Sequence, residues 1–292
     1  MGHKMKIIIA TLLLIFSQIA LASGTAFSDS FVSDDTDGNT IFQQTLGFWA
    51  PMSAEADRGF SYRFSKYEAD QSHRLGVLYD RRFDNKYGIN IDLGVESLHD
   101  EITGSITLSR WYDKGSFELY LQQDFIDNVL GTQNGVTYTS AYLVKERRFN
   151  KWNITGIAGY TDYSDGPKRY EGQMVALYPS NTYDGVYIRG EIQYYQFDEF
   201  SPFYFSPDEY IRGLIGAQYF HRFTNNFYIR AKFMFGHQRA NGIGKRSHLS
   251  STTLGYEFED VPGLEATLSV VFDTKEPDYT YRMANFGLKY RW

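Results

Sequence analysis

Histidine and its neighbours are the first place to look for chemistry in this 292-residue chain. The six histidines are His3, His73, His99, His221, His237 and His248, and there is no cysteine. Lack of cysteine removes disulfides, thiolate nucleophiles and Cys-bound zinc together. A hydrolytic centre would need a Ser or Asp within reach of a histidine. Asp100 follows His99, and His248 stands among Ser247, Ser250 and Ser251. No nucleophile motif surrounds either group, so the sequence does not read as an enzyme. Asp34-Asp35-Thr36-Asp37-Gly38-Asn39 gathers oxygen donors of the kind calcium takes, but its glycine is misplaced for an EF-hand loop. A solvated hairpin turn is the better reading. Asn241-Gly242-Ile243-Gly244-Lys245 is similar to a phosphate loop only in its glycines and lysine; the full spacing and the following helix are missing. It reads as an outer loop, where Lys245 and Arg246 are candidates to touch lipopolysaccharide phosphates. No metal or cofactor is expected.

Charges and aromatic rings that alternate with apolar residues carry more information. Phe227, Ile229, Ala231, Phe233 and Phe235 fall on one face of an extended segment, and Tyr228, Arg230, Lys232 and Met234 on the other. Ile89, Ile91, Leu93 and Val95 oppose Asn90, Asp92, Gly94 and Glu96 in the same way. If the apolar faces meet lipid, the opposite faces line a bore. That places Arg63, Arg74, Arg82, Asp92, Glu96, Glu118, Arg169, Glu171, Arg189, Glu191, Arg212, Arg230 and Lys232 inside, with Asp80, Asp124, Glu265, Lys289 and Arg291. Charges of both signs interleave on neighbouring segments, so they either shape a field across an open channel or lock a closed one. Tyr120, Tyr187, Tyr195 and Tyr228 share that face. Such rings can stack on sugar C–H faces or simply bond charged neighbours.

The segments that must position these groups follow a period of two from about residue 40 to the end. They run about 9–13 residues, the length of a tilted strand crossing a bilayer. No helical stretch is evident after the first segment. Sixteen strands are expected, the first of them (25–33) the weakest. Short turns such as Asn85-Lys86-Tyr87, Asp113-Lys114-Gly115 and Asn150-Lys151 alternate with longer connections such as 127–135, 198–208 and 239–245. Pro51–Asp57 and Pro179–Asp184 are long for the short side. Trp49, Trp111, Tyr112, Trp152, Tyr178, Tyr219 and Trp292, near segment ends, are expected to form interface girdles. The fold class is therefore all-β: a transmembrane antiparallel up-and-down barrel with both termini periplasmic.

Composition and the first segment agree with that reading. Tyrosine and phenylalanine number 24 and 23 in a chain of net charge −6, while its mean hydropathy is −0.41. That excludes a polytopic helical membrane protein, and the acidic balance argues against nucleic acid. Lys4 and Lys6 precede the apolar run 7–19, and Ala20-Leu21-Ala22 offers small residues to a peptidase. Residues 1–22 thus read as a signal peptide and 23–292 as the barrel. The expected place is the bacterial outer membrane, in contact with its lipids and lipopolysaccharide.

Two stretches carry a resemblance to known proteins. Ala284, Phe286, Leu288, Tyr290 and Trp292 alternate to the last residue. This is similar to the final strand of outer-membrane barrels, which the barrel-assembly machinery reads, although Trp is less usual there than Phe. The second stretch is 198–210, with five aromatics and two prolines. Within it, Tyr204-Phe205-Ser206-Pro207, followed by Tyr210 at the start of a strand, resembles the C-terminal barrel domain of bacterial exopolysaccharide exporters for cellulose and poly-N-acetylglucosamine. The resemblance implies a 16-stranded barrel passing a glycan chain. Those exporters carry a helical-repeat region before the barrel and this sequence shows none, so a separate periplasmic scaffold is implied. The function read here is an outer-membrane pore for a polysaccharide or other polar solute. A closed structural or surface-interaction barrel is the alternative, and an outer-rim hydrolase a more distant one.

Overall fold

A computed structural model describes residues 23–292 apart from 37, 69, 127, 181–184 and 277–278. The expected signal peptide lies outside the described residues. The strands are β1 (Thr25–Asp35), β2 (Thr40–Ser53), β3 (Ala56–Tyr67), β4 (Asp70–Phe83), β5 (Tyr87–Glu96), β6 (Glu101–Tyr112), β7 (Gly115–Phe125), β8 (Thr137–Phe149), β9 (Trp152–Tyr163), β10 (Lys168–Pro179), β11 (Val186–Phe197), β12 (Tyr210–Arg222), β13 (Phe227–Ala240), β14 (Ile243–Glu257), β15 (Leu264–Glu276) and β16 (Tyr279–Arg291). Each pairs antiparallel with its neighbours, and the sheet closes into a sixteen-stranded barrel.

Closure comes from β1, which pairs with β2 on one side and with β16 on the other, from Thr25↔Arg291 to Asp35↔Tyr281. The backbone amides and carbonyls of Gly24 and Trp292 bond each other at 3.1 Å in both directions. With both margins paired, no strand edge is left for water or lipid to satisfy. Phe48 packs against the Trp292 ring, with centroids 5.5 Å apart. The end holding Gly24 and Trp292 is called here the terminal end, and the other the far end.

The two faces of the sheet invert the usual soluble pattern. Val77, Ile102, Ile215 and Phe233 are 54–63% exposed, whereas Glu96, Arg74 and Arg212 are at 5% or below. An apolar exterior around a polar interior is stable only where the surroundings are hydrocarbon. Lipid is therefore the solvent of the outer face.

Several expectations change. Between β7 and β8 the chain forms α1 (Val129–Gln133), capped by the Asn128 side chain, which accepts from the Gly131 amide. Five residues give no readable period. The 239–245 connection is a tight hairpin, because β13 and β14 run to Ala240 and from Ile243. Asn241 and Gly242 both take positive φ, 47° and 83°, the pair that a two-residue turn between twisted strands requires. Pro51–Asp57 is also not a long turn: Pro51 pairs with Asp57 and Ser53 with Ala56 across a bulge. Trp49 and Trp111 leave the expected girdle. Trp111 lies 5.7 Å from the Arg82 guanidinium, on the inner face. Trp49 shares its face with Gln43, which bonds Ser65. Their parity along the strand, not their distance from its end, decides which way they point.

Candidate functional site

The inner face concentrates its charge in clusters. On the wall made by β3 to β7, Arg63 bridges Glu96 at 2.7 Å and Asp124 at 3.1 Å. Ser72 donates a further hydrogen bond to Glu96. Beside it Arg74 binds Asp92 at 2.6 Å and donates its Nε to Thr103 at 2.9 Å. Gly94 makes that pose possible, since a Cβ there would stand 2.7 Å from the Arg74 Nε.

Farther round the ring, Arg169 pairs with Glu171 at 3.2 Å and donates to the Tyr142 hydroxyl at 2.9 Å. Arg189 pairs with Glu191 at 3.1 Å and bonds Gln218. Arg212 forms a buried pair with Asp273 and donates to Ser247 at 2.9 Å. Of the charges expected inside, these clusters join Arg63 to Glu96, Arg74 to Asp92, Arg169 to Glu171 and Arg189 to Glu191. Arg82, Glu118, Arg230 and Lys232 stand apart from them: Arg82 beside Trp111, Arg230 over the Phe220 ring at 5.8 Å, Lys232 two residues along the same face, and Glu118 alternating with Tyr120 on β7.

The sign of charge is uneven around the bore. The inner faces of β12 and β13 carry Arg212, Arg222, Arg230 and Lys232 without an acid. Asp92 and Glu96 lie on β5, eight strands from β13 in a ring of sixteen. Asp92 and Glu96 are paired with Arg74 and Arg63, and Arg212 and Arg222 with Asp273 and Glu257, which leaves Arg230 and Lys232 as the cations of the β12–β13 arc outside an ion pair among the described residues.

At the far end two connections fold inward. Val129 of α1 packs against Ile41 of β2 and Tyr67 of β3, five strands round the ring. The 198–209 loop lies over β9. Tyr204 stacks on Tyr163 at 4.7 Å and donates its hydroxyl to Asp165 at 3.1 Å. Burial, and after it the Asp165 charge, raise the Tyr204 hydroxyl well above its ordinary pKa, so it stays a donor. Ser201 donates to the same carboxylate, and Ser206 accepts from the Ser201 amide. The Pro207 carbonyl accepts from Phe197, and Phe205 sits edge-on to Tyr210. Tyr210 is fully buried, stacks on Tyr195 at 4.4 Å and donates to Gln238.

Beneath these connections is a cavity of about 480 Å³. Its lining includes eight tyrosines, four of them Tyr138, Tyr163, Tyr195 and Tyr210, together with Arg169, Glu191, Arg212 and Asp273. Asp165, Tyr138, Tyr163 and α1 were not singled out from sequence. For Tyr163 the signal was there, because it alternates with Thr161 and Gly159 on β9. For α1 the signal was the Asn128 cap alone. Three of the rim histidines have partners: His73 bonds the Tyr62 hydroxyl, His99 the Thr132 carbonyl, and His248 stacks on Phe272. Asp35, in the acidic turn, accepts from the Asn39 amide and the Tyr279 hydroxyl.

No protein-family model matches the sequence, and no curated protein matches it. Solved structures do match the fold. A bacterial polysaccharide outer membrane secretin superposes with a TM-score of 0.76 at 14% identity, over 92% of this chain and 98% of that one. A loop-deletion variant of OmpT, an outer membrane protein of Vibrio cholerae, gives 0.50 at 12% identity, over 92% and 98%. The fold is that of an integral bacterial outer-membrane β-barrel. Within this outer-membrane barrel, Phe286, Leu288, Tyr290 and Trp292 occupy the lipid face of β16, the strand that closes the seam.

Proposed function

We propose that this barrel is an outer-membrane pore for a polysaccharide chain, with both termini on the periplasmic side. The observation that carries the reading is the tyrosine-lined cavity at the far end of a charge-lined bore. Aromatic faces suit the C–H faces of sugar rings, and the adjoining Arg and acid groups suit their hydroxyls. Many weak contacts of this kind hold a chain while letting it slide, which conduction demands. The Arg63, Arg74, Arg82, Arg189, Arg230 and Lys232 side chains, with Asp92, Glu96, Glu118 and Glu171, would line the bore with it, and Glu191 lines the cavity itself. The fold likeness to a polysaccharide secretin supports the cargo class. On this reading a periplasmic helical-repeat protein delivers the chain, and the barrel-assembly machinery reads Phe286, Leu288, Tyr290 and Trp292.

Planar-bilayer recording tests it. Neutral oligosaccharides added to the purified mature barrel should reduce the ion current in a dose-dependent way. Tyr195→Ala should weaken that block severalfold with little change in open conductance. Oligosaccharides without effect on a conducting barrel would remove the glycan cargo.

One observation favours a second reading, a closed barrel: α1 turns into the mouth and seats Val129 on Ile41 and Tyr67. A wild-type barrel that is silent and begins to conduct once residues 127–135 are replaced by Asn-Gly would establish that reading instead.

A further inference from the structure

The lipid face at the terminal end is not uniform. Arg58 is the third residue of β3, and Arg81, Arg110 and Arg147 are each third from the end of β4, β6 and β8. All four are exposed. All four fall on the exterior face by alternation, since Arg63, Arg74, Thr103 and Tyr142 mark the inner parity of those strands. Lys145 sits one pleat deeper than Arg147 and is the direct partner of Phe117, which is the partner of Arg110, itself the partner of Tyr87. The Arg81 guanidinium lies 4.6 Å over Phe83, and that of Arg110 5.6 Å over Tyr87.

Among the described residues no acid shares this face near the terminal ends of β3 to β8, and none of the five cations has an ion pair. In the adjoining turns Lys86, Lys114 and Lys151 are offset by Glu55, Asp84 and Asp113, so nothing there neutralises the belt. The rest of the circumference differs. Trp152 and Tyr178 pack together there, and Tyr256, Tyr290 and Trp292 are one or two residues from their strand ends or beyond. These aromatics set the depth of the membrane interface. Four arginines at that level, confined to one arc, meet headgroups and not hydrocarbon.

We propose that Arg58, Arg81, Arg110 and Arg147, with Lys145, form a binding face for the phosphates of anionic glycerophospholipids. A guanidinium matches a phosphate with two parallel N–H donors, which a lysine cannot do. The stacked Phe83 and Tyr87 rings hold two of the guanidiniums against the barrel surface, where the lipid phosphate would lie. Assigning glycerophospholipid as the source rests on the periplasmic placement of the termini proposed above. If that end faced outward, the same chemistry would select the phosphates of lipopolysaccharide.

The test is native mass spectrometry of the mature barrel exposed to phosphatidylglycerol, phosphatidylethanolamine and lipopolysaccharide in equal amounts. Each cation beside an anionic surface favours it by about fivefold. The wild-type barrel should therefore retain phosphatidylglycerol over phosphatidylethanolamine by more than tenfold. The combined variant Arg58→Gln, Arg81→Gln, Arg110→Gln and Arg147→Gln should lose that preference, and the corresponding Lys set should keep part of it. Gel mobility with and without boiling establishes that each variant is folded. Should the fourfold variant fail to fold, the pairs Arg58→Gln with Arg81→Gln and Arg110→Gln with Arg147→Gln should each lose part of the preference. Equal retention of phosphatidylglycerol by wild type and variants overturns the proposal. So does a preference for lipopolysaccharide that the same substitutions abolish. Labelling of Asn225→Cys on intact cells reports the orientation separately, and conductance reports the pore, so failure of either is not confused with failure of this face.

Discussion

Two connections enter the mouth of the barrel, and they are held by different forces. The α1 segment is held chiefly by apolar burial: Val129 is 4% exposed and rests on Ile41 and Tyr67. The 198–209 loop adds directed polar bonds to its ring contacts, with Ser201 and Tyr204 both donating to Asp165 while Tyr204 stacks on Tyr163. An apolar anchor tolerates sliding, because its strength follows area and not direction. A pair of hydrogen bonds fixes one geometry. On the proposed function, the first connection would narrow the mouth and the second would present its rings in a set orientation.

That contrast can be broken at either piece. Replacing residues 127–135 by Asn-Gly should give the largest effect, a severalfold rise in single-channel conductance, with oligosaccharide block retained because the tyrosine wall is untouched. Arg212→Ala attacks the wall under both connections. It leaves Asp273 as a buried unpaired charge, and about 3–5 kcal/mol of stability should go, read as a fall in the urea midpoint of the folded barrel in micelles. Asp165→Ala removes two hydrogen bonds from the loop at about 1–3 kcal/mol. It should weaken oligosaccharide block without raising conductance, the reverse of the α1 deletion. Tyr204→Phe is the mildest change, about 1 kcal/mol, seen as faster proteolysis of the loop.

The same tyrosine gives a pH expectation. Its hydroxyl is raised above the ordinary 10.0, first by burial and then by Asp165. A raised acid stabilises the fold fully below its unfolded pKa and loses that contribution as pH climbs through the folded one. Loop protection should stay flat through neutral pH and fall only under strongly alkaline conditions, as proteolysis rates across pH would register.

Much of the barrel was legible because alternation is a local signal. Even the weak first strand could be inferred, since an even count was needed to close the ring, and β1 proves to pair along eleven residues. The charged partners on neighbouring strands could be assigned to one face from parity alone, as Arg63 and Glu96 illustrate. What escaped depends on contacts far along the chain or on single residues. Val129 finds Ile41 only after β2 and β8 are in place. Asp165 is one acid in a short connection, and nothing in its neighbourhood marks it as the acceptor for a loop 36 positions on. Asn241-Gly242 sits within a stretch, 239–245, whose charged ends Arg239 and Lys245 suggest a longer loop, although that dipeptide is itself a turn signal. Trp49 and Trp111 were misplaced because distance from a strand end was weighed above parity.

The seam between β1 and β16 has a consequence for how the chain comes to be whole. Asn285 bonds Asp29, 256 positions away, so the opening strand of the sequence must wait for the closing one. Ring closure on that span carries a heavy entropic cost, and slow, late zipping is expected of such distant pairings. Any interruption of synthesis or delivery before Trp292 arrives leaves β1 with a bare margin, exposed and adhesive, and the ribbon remains a sheet.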